Sequence, residues 1–224
     1  FPLVNVSSPE MHGKSTFLQC ISGLDTFTRG KVSYDNYNSI DFVKKNISVM
    51  LQKPYLFNCS VLENITMGLK FRKFSKEIIE KRITTYLKYL VVDDLLHKNA
   101  RELSGGEQEK VALLRTAILE TEVTFLDEPT ASMDIENILR SEKLIKTMSQ
   151  EKRTVILVTH DLLQAERVAD YIIFMDKGKV IEQGEKYEVL NFPKHKLLKQ
   201  IFKNNNIKDI WGWKKTGVKS IAPT

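Results

Sequence analysis

Cysteine is scarce: Cys20 and Cys59 are the only two in the 224-residue chain. Two thiols cannot build a disulfide framework, and nothing near either has the spacing of a metal site. Long hydrophobic runs are missing too. None approaches the ~20 residues that cross a bilayer, so the chain is not itself a pore. A secretory leader is not visible, because polar and charged residues arrive by Ser7 and Glu10. The chain therefore reads as cytosolic, and the glycosylation-like triplets at Asn46, Asn58 and Asn64 carry no weight. Neither sign of charge dominates: 34 Lys+Arg against 28 Asp+Glu gives +6. An excess of that size describes a solvated surface better than a nucleic-acid groove. No internal repeat or low-complexity tract interrupts the sequence. Its one shift in composition is a Lys-rich stretch after about residue 186.

What is present is a chain 42% hydrophobic, enough for one soluble domain with a sizeable core and one insertion. Residues 1–6 form an apolar run that predicts a buried strand, and residues 14–21 a helix stopped by Gly23. Further strands are predicted at 31–34 and 47–51. Over residues 75–90, Ile79, Ile83, Tyr86, Leu87 and Leu90 fall on one helical face. A second helix is predicted over 107–119. Strands follow at 123–126, 154–159 and 171–175, separated by helices at 136–149 and 162–169. The first two of these strands are apolar without alternation, as in parallel strands covered on both faces. Asp176-Lys177-Gly178-Lys179 predicts a hairpin turn at the sheet edge. The order predicts an α/β fold with a helical insertion near residues 68–119.

Gly13-Lys14-Ser15-Thr16 opens a helix directly after a strand, which is the end of a phosphate-binding loop. Backbone N–H groups and the helix dipole attract phosphate there. Lys14 would reach the β- and γ-phosphates, and Ser15 would place its hydroxyl on Mg²⁺. The full pattern is G-x-x-x-x-G-K-[ST]. Here Ser8 takes the place of its first glycine, Met11 stands where a middle glycine is common, and His12 precedes Gly13. A non-glycine residue forced into left-handed geometry costs about 1–2 kcal/mol. Glu10 also puts a carboxylate near the phosphate path.

Downstream, Leu103-Ser104-Gly105-Gly106-Glu107 leaves bare backbone at a second helix start, another anion site. Leu126-Asp127-Glu128-Pro129-Thr130 ends a hydrophobic strand in two carboxylates. Asp127 can hold Mg²⁺, and Glu128 can orient and polarise an attacking water. The strand at 154–159 ends in His160, on the same sheet edge as Asp127, where an imidazole could bond the γ-phosphate and the water.

With these motifs the chain resembles the ATP-binding subunits of ABC transporters, over about residues 1–190. Gly13 to Thr16, Gln52, Leu103 to Glu107, Leu126 to Thr130, Met133-Asp134 and His160 carry the likeness, in the family's order and spacing. The resemblance implies a P-loop NTPase core, a mostly parallel sheet flanked by helices, with an inserted helical subdomain. The core would take residues 1–67 and 120–185, the helical subdomain with the signature 68–119, and a C-terminal tail 186–224. ATP and Mg²⁺ are the implied cofactors. Ser8, Met11, His12 and Gly13 to Thr16 would cradle phosphate; Ser15, Gln52 and Asp127 would hold the metal. Ser104, Gly105 and Gly106 would clamp ATP across a dimer, and Asp134 would link the two sites. Lys14, Glu128 (the base) and His160 (the switch) would be catalytic. Glu107 stands where glutamine is commoner, and Ala131-Ser132 reverses the usual order. The family also has a longer stretch before its phosphate loop, with an aromatic that stacks on adenine. Seven residues precede Ser8 and Phe1 is too close for that role, so the first strands are expected to be missing.

The implied partners are a second nucleotide-binding subunit, in a homodimer, and transmembrane permease subunits on separate chains. No direct contact with the solute and no nucleic acid are expected, and the place of work is the cytoplasmic face of the membrane. Tyr55 and Phe57, after Gln52, would dock the permease or pack into the helical insertion. Residues 95–101 lack the exporters' Gly-Glu-Gly run, and residues 63–70 look like bacterial importers of small oxyanions, tungstate or molybdate before phosphate. Two alternatives are a catalytically impaired or regulatory relative, suggested by Ser8, Glu10 and Met11, and a DNA-associated ATPase of the same superfamily. For the latter, 90 positions between Lys14 and Ser104 leave no room for a long coiled coil. In the tail, residues 194–202 predict a short helix with Leu197, Leu198 and Ile201 inward. Trp211 and Trp213 would cover the core or touch a membrane or partner.

Overall fold

The structure, a computed structural model, describes residues 2–8, 13–34 and 45–204. Phe1, the loop positions Glu10, Met11 and His12, and the tail with Trp211 and Trp213 lie outside the described residues. The strands are β1 (Leu3–Ser7), β2 (Ile47–Met50), β3 (Val123–Asp127), β4 (Thr154–Val158), β5 (Tyr171–Asp176) and β6 (Lys179–Glu185). They form one sheet in the order β2-β3-β4-β1-β5-β6, parallel throughout except for the β5–β6 hairpin. Helices α1 (Lys14–Ile21), α2 (Val61–Phe71), α3 (Lys76–Leu87), α4 (Gly105–Ala117), α5 (Ile135–Gln150), α6 (Leu162–Val168), α7 (Lys186–Asn191) and α8 (Lys196–Asn204) surround it.

The apolar runs explain the layering. β1, β3 and β4 are interior strands, and Leu3, Val6, Phe125, Leu126, Leu157 and Val158 are fully buried. On one face Leu18 of α1 packs with Val6, Phe125, Val158 and Met175. On the other, Leu3, Met50, Leu126 and Leu157 join side chains of α2, α4, α5 and α8 in the larger core. A sheet covered on both faces has no use for alternating polarity.

Register decides where the chemistry collects. Met50 pairs with Leu126, Asp127 with Val158, and Val6 with Val158. The carboxyl ends of β1, β2, β3 and β4 therefore share one edge. The chain leaves β1 for the distant β2 and returns through β3 and β4, whereas β5 lies on the other side of β1. Such a switch in strand order opens a crevice at the carboxyl edge.

One expectation, the strand over residues 31–34, needs correction. Residues 31–34 do not form a strand: the polarity alternates, with Val32 and Tyr34 half-buried, but only Tyr34 makes a backbone bridge. A pattern without a ladder of partners stays irregular. Helix α2 runs straight through the expected boundary at residues 67–68. Ser60 starts it, in a capping box with Glu63: the Glu63 N–H donates to Ser60 Oγ, and the Glu63 carboxylate accepts the Ser60 N–H at 3.0 Å. The short helix expected over residues 194–202 is present as α8, with Leu198 and Phe202 buried in the main core beside Val189 and Leu190 of α7. The Asp176–Lys179 turn is as predicted: Lys177 and Gly178 both have positive φ, at 46° and 75°, the pair a tight hairpin demands.

Candidate active site

β1 delivers the buried Ser8 to the carboxyl edge. Ser8 does not have a left-handed φ, so serine in place of the first glycine brings no backbone strain there. Gly13 does need to be glycine: it caps α1 at φ 87°, and an added Cβ would lie 3.4 Å from Gly178 in the β5–β6 turn. It carries no side chain to cap the helix, so the first N–H groups of α1 can serve an anion. Lys14, 5% exposed, sends its ammonium to Ser8 O at 3.5 Å. Burial pushes its pKa below the usual lysine range, and the Glu128 and Asp127 carboxylates oppose that shift.

Lys14, Ser15, Gln52, Asp127, Glu128 and His160 line one cleft of about 170 Å³. Thr16 is exposed in the first turn of α1, outside this lining. Asp127 ends β3 buried, bonded by the Ser15 hydroxyl, and its Oδ1 has no hydrogen-bond partner among the described residues. Burial pushes its carboxyl above the ordinary range; the Ser15 bond and Lys14 lower it, and Glu128 raises it further. A buried carboxylate oxygen without a partner, beside a hydroxyl and the Gln52 amide, is a set of hard oxygen donors that fits Mg²⁺.

Glu128 leaves the strand with φ 46°, a left-handed conformation, while its N–H holds Val158 O at 2.9 Å. Side chains in such angles cluster at functional sites. Glu128 Oε1 shares a 2.9 Å hydrogen bond with His160 Nδ1. The carboxylate is 10% exposed and the imidazole 68%, so the histidine closes the open side of the glutamate. Thr130, next on the loop, is fixed by Gln164 Nε2 of α6 at 2.9 Å, a support the sequence motif does not reveal.

Ser104, Gly105, Gly106 and Asp134 are not in this cleft. They form a second surface. The Glu107 carboxylate accepts both the N–H and the hydroxyl of Ser104, at 2.8 and 2.6 Å, at the start of α4. Asp134 caps α5 by accepting the Asn137 N–H at 2.9 Å. The two helix starts are packed together: a Cβ on Gly106 would lie 2.8 Å from Ser132 O. Glu109, buried beneath them, bonds the Ser132 N–H; neither composition nor spacing singles it out.

Known proteins are similar to this chain in sequence and fold. The family described as ABC transporter matches residues 12–131. The tungstate uptake system ATP-binding protein TupC of Peptoclostridium acidaminophilum is 36% identical, over 80% of this chain and 84% of the relative. The glutamine transport ATP-binding protein GlnQ of Geobacillus stearothermophilus is 31% identical, over 88% of this chain and 85% of the relative. By contrast the chain spans 59% of the spermidine/putrescine import ATP-binding protein PotA of Clostridium novyi (strain NT), at 32% identity over 90% of this chain. The solved dimeric structure of MJ0796, a bacterial ABC transporter cassette, superposes with a TM-score of 0.74 at 29% identity, covering 83% of this chain and 85% of that one. This chain belongs to the ABC transporter family and has the fold of its ATP-binding cassettes.

Proposed function

We propose that this chain is the ATP-hydrolysing subunit of a solute importer. Two copies work together, peripheral to the cytoplasmic face of the membrane, with separate permease subunits. The carrying observation is the Glu128–His160 hydrogen bond, set in one cleft with Lys14, Ser15, Gln52 and Asp127. Lys14 and the first-turn N–H groups of α1 meet the charge of the β- and γ-phosphates. Mg²⁺, held by Ser15, Gln52 and Asp127, supplies further neutralisation of that charge when bound. Glu128 accepts a proton from water as the water oxygen bonds the γ-phosphorus and the bond to ADP breaks. His160 fixes the orientation of that carboxylate. Phosphoryl transfer needs placement and charge more than covalent help, which is what these side chains offer.

The signature residues Ser104, Gly105 and Gly106 stand away from the cleft, so one chain presents two halves of different sites. A second copy completes each, with Asp134 at the junction; the dimeric MJ0796 structure supports the pairing. We take the helical unit to be α2 through α4, beginning at Val61, because α2 is continuous across residue 67. Between this unit and the sheet runs an apolar groove of about 430 Å³, lined by Met50, Leu51, Phe57, Met67 and Phe71. Tyr55 beside it is 63% exposed, yet Arg101 and Arg115 hold it in place by its hydroxyl and carbonyl. We assign this groove to the permease. Among the described residues no helix is long and apolar enough to cross a membrane. For the solute we propose a small oxyanion, tungstate or molybdate, and the similarity to TupC, a tungstate uptake protein, supports tungstate.

The test is Mg-ATP hydrolysis by the purified chain beside Lys14→Ala and Glu128→Gln. Expected are loss of nucleotide binding in the first, and in the second retained binding with turnover reduced roughly 10²–10⁴-fold. A wild type that neither binds ATP nor exceeds the variants in turnover overturns the reading.

A further inference from the structure

Glu109 is 4% exposed, yet it carries a carboxylate. It lies on α4, two residues beyond the Ser104–Glu107 capping box, and faces the loop that follows β3. Both of its oxygens accept the backbone N–H of Ser132, at 2.8 and 3.1 Å. The same loop residue is held at two more points. A Cβ on Gly106 would lie 2.8 Å from Ser132 O, and one on Gly105 would lie 3.5 Å from Ser132 Cβ. Ser132 is thus gripped from three positions on the first turns of α4. In sequence it stands between Glu128, at the cleft, and Asp134, the cap of α5.

Burying a carboxylate is unfavourable unless its oxygens are bonded, and a charged acceptor makes the stronger bond. The bond belongs to no helix or sheet ladder; it joins two elements. We infer that Glu109 is a positioning residue. It locks the 131–134 loop onto the start of α4, so that Ser104 to Gly106 and Asp134 keep one fixed geometry toward a second copy. Glu109 touches neither the cleft nor the exposed surface; it acts through Ser132. The inference rests on the two-copy reading proposed above.

The experiment uses the full chain carrying Glu128→Gln as parent, so that ATP is bound but not consumed. Three quantities are measured: affinity of the single chain for a fluorescent ATP analogue, ATP-dependent self-association by sedimentation, and amide exchange at Ser132. Glu109→Ala is expected to keep nucleotide affinity within about twofold while weakening self-association roughly tenfold or more, the scale of one hydrogen bond to a charged group. It should speed exchange at Ser132 while β3 and β4 keep the parent's rates. Glu109→Gln, whose amide oxygen still accepts the Ser132 N–H, is expected to restore most of the association. The inference is overturned if Glu109→Ala associates like the parent, if nucleotide affinity falls in step with association, or if exchange rises throughout the sheet. It is also overturned if Glu109→Gln is as impaired as Glu109→Ala. A parent that binds ATP but does not self-associate overturns the two-copy reading itself, and this inference with it.

Discussion

Asp127 shows how a site can be built against the stability of the chain that carries it. Burial pushes its carboxyl above the ordinary range, and the Ser15 hydroxyl and Lys14 only partly offset that. The folded chain therefore holds this proton to higher pH than the unfolded chain does. Stability from this group is fully present below the unfolded aspartate range and is lost as pH rises through the folded pKa. Once ionised, the group is a net cost to the nucleotide-free protein. Asp127→Asn is expected to raise its Tm, by about 2–4 °C for each 1 kcal/mol of relief, and to flatten the fall in Tm between a pH below the ordinary aspartate range and one well above it. The added stabilisation by Mg-ATP over ATP alone should disappear in the same variant. Thermal scans at the two pH values, with and without nucleotide, check both. At this scale the sequence is most legible: Lys14, Asp127, Glu128 and His160 belong to short motifs, and the fold brings them to one cleft. Ser8 was legible as a departure but not as a harmless one, because its φ depends on the loop path. Glu109 was not legible at all, since a buried bond to a backbone N–H 23 positions away leaves no mark on either segment.

Elements carry a different kind of information, the distances between neighbours. Gly68 and Gly106 both lie in helices where a methyl group would collide, but with different things. At Gly68 the nearest atom is Leu119 Cδ2, 2.7 Å from the added Cβ, the end of a half-buried side chain that can turn away. At Gly106 it is the Ser132 carbonyl oxygen at 2.8 Å, which moves only if the loop moves. Gly68→Ala gains about 0.8–1 kcal/mol of helix propensity against that small repacking, so its Tm should change little and turnover should persist. Gly106→Ala is expected to lower the Tm, as overpacking of about 1–3 kcal/mol does, and to weaken ATP-dependent association. Calorimetry and sedimentation on the two variants separate the cases. Element existence was well marked where periodicity and caps agree, as in α3, with Ser75 accepting the Ile78 N–H. Helix α2 bears the same kind of mark, the capping pair of Ser60 and Glu63 ahead of its apolar run. Residues 31–34 mislead because alternation reports exposure, not the presence of a neighbouring strand.

For the whole molecule, the decisive feature is that Lys14 and Ser104 face different spaces. The resemblance implies that Ser104 to Gly106 meet the phosphate loop only across a dimer, and in the single chain they do not line the cleft. If two identical copies exchange these halves about a twofold axis, turnover per chain must rise with protein concentration. The same geometry makes a sharper demand. A chain with Lys14→Ala keeps a sound signature, and one with Gly106→Ala keeps a sound phosphate loop. Each alone should be inactive. Mixed in equal amounts, half of the pairs contain one of each, and such a pair has one intact site in two. Recovery of up to about one quarter of wild-type turnover is expected, from two preparations that show none separately. Wild-type turnover that is linear in concentration, with no recovery on mixing, would mean that each copy hydrolyses ATP alone. Ser104 to Gly106 would then have to serve some end other than the partner's nucleotide.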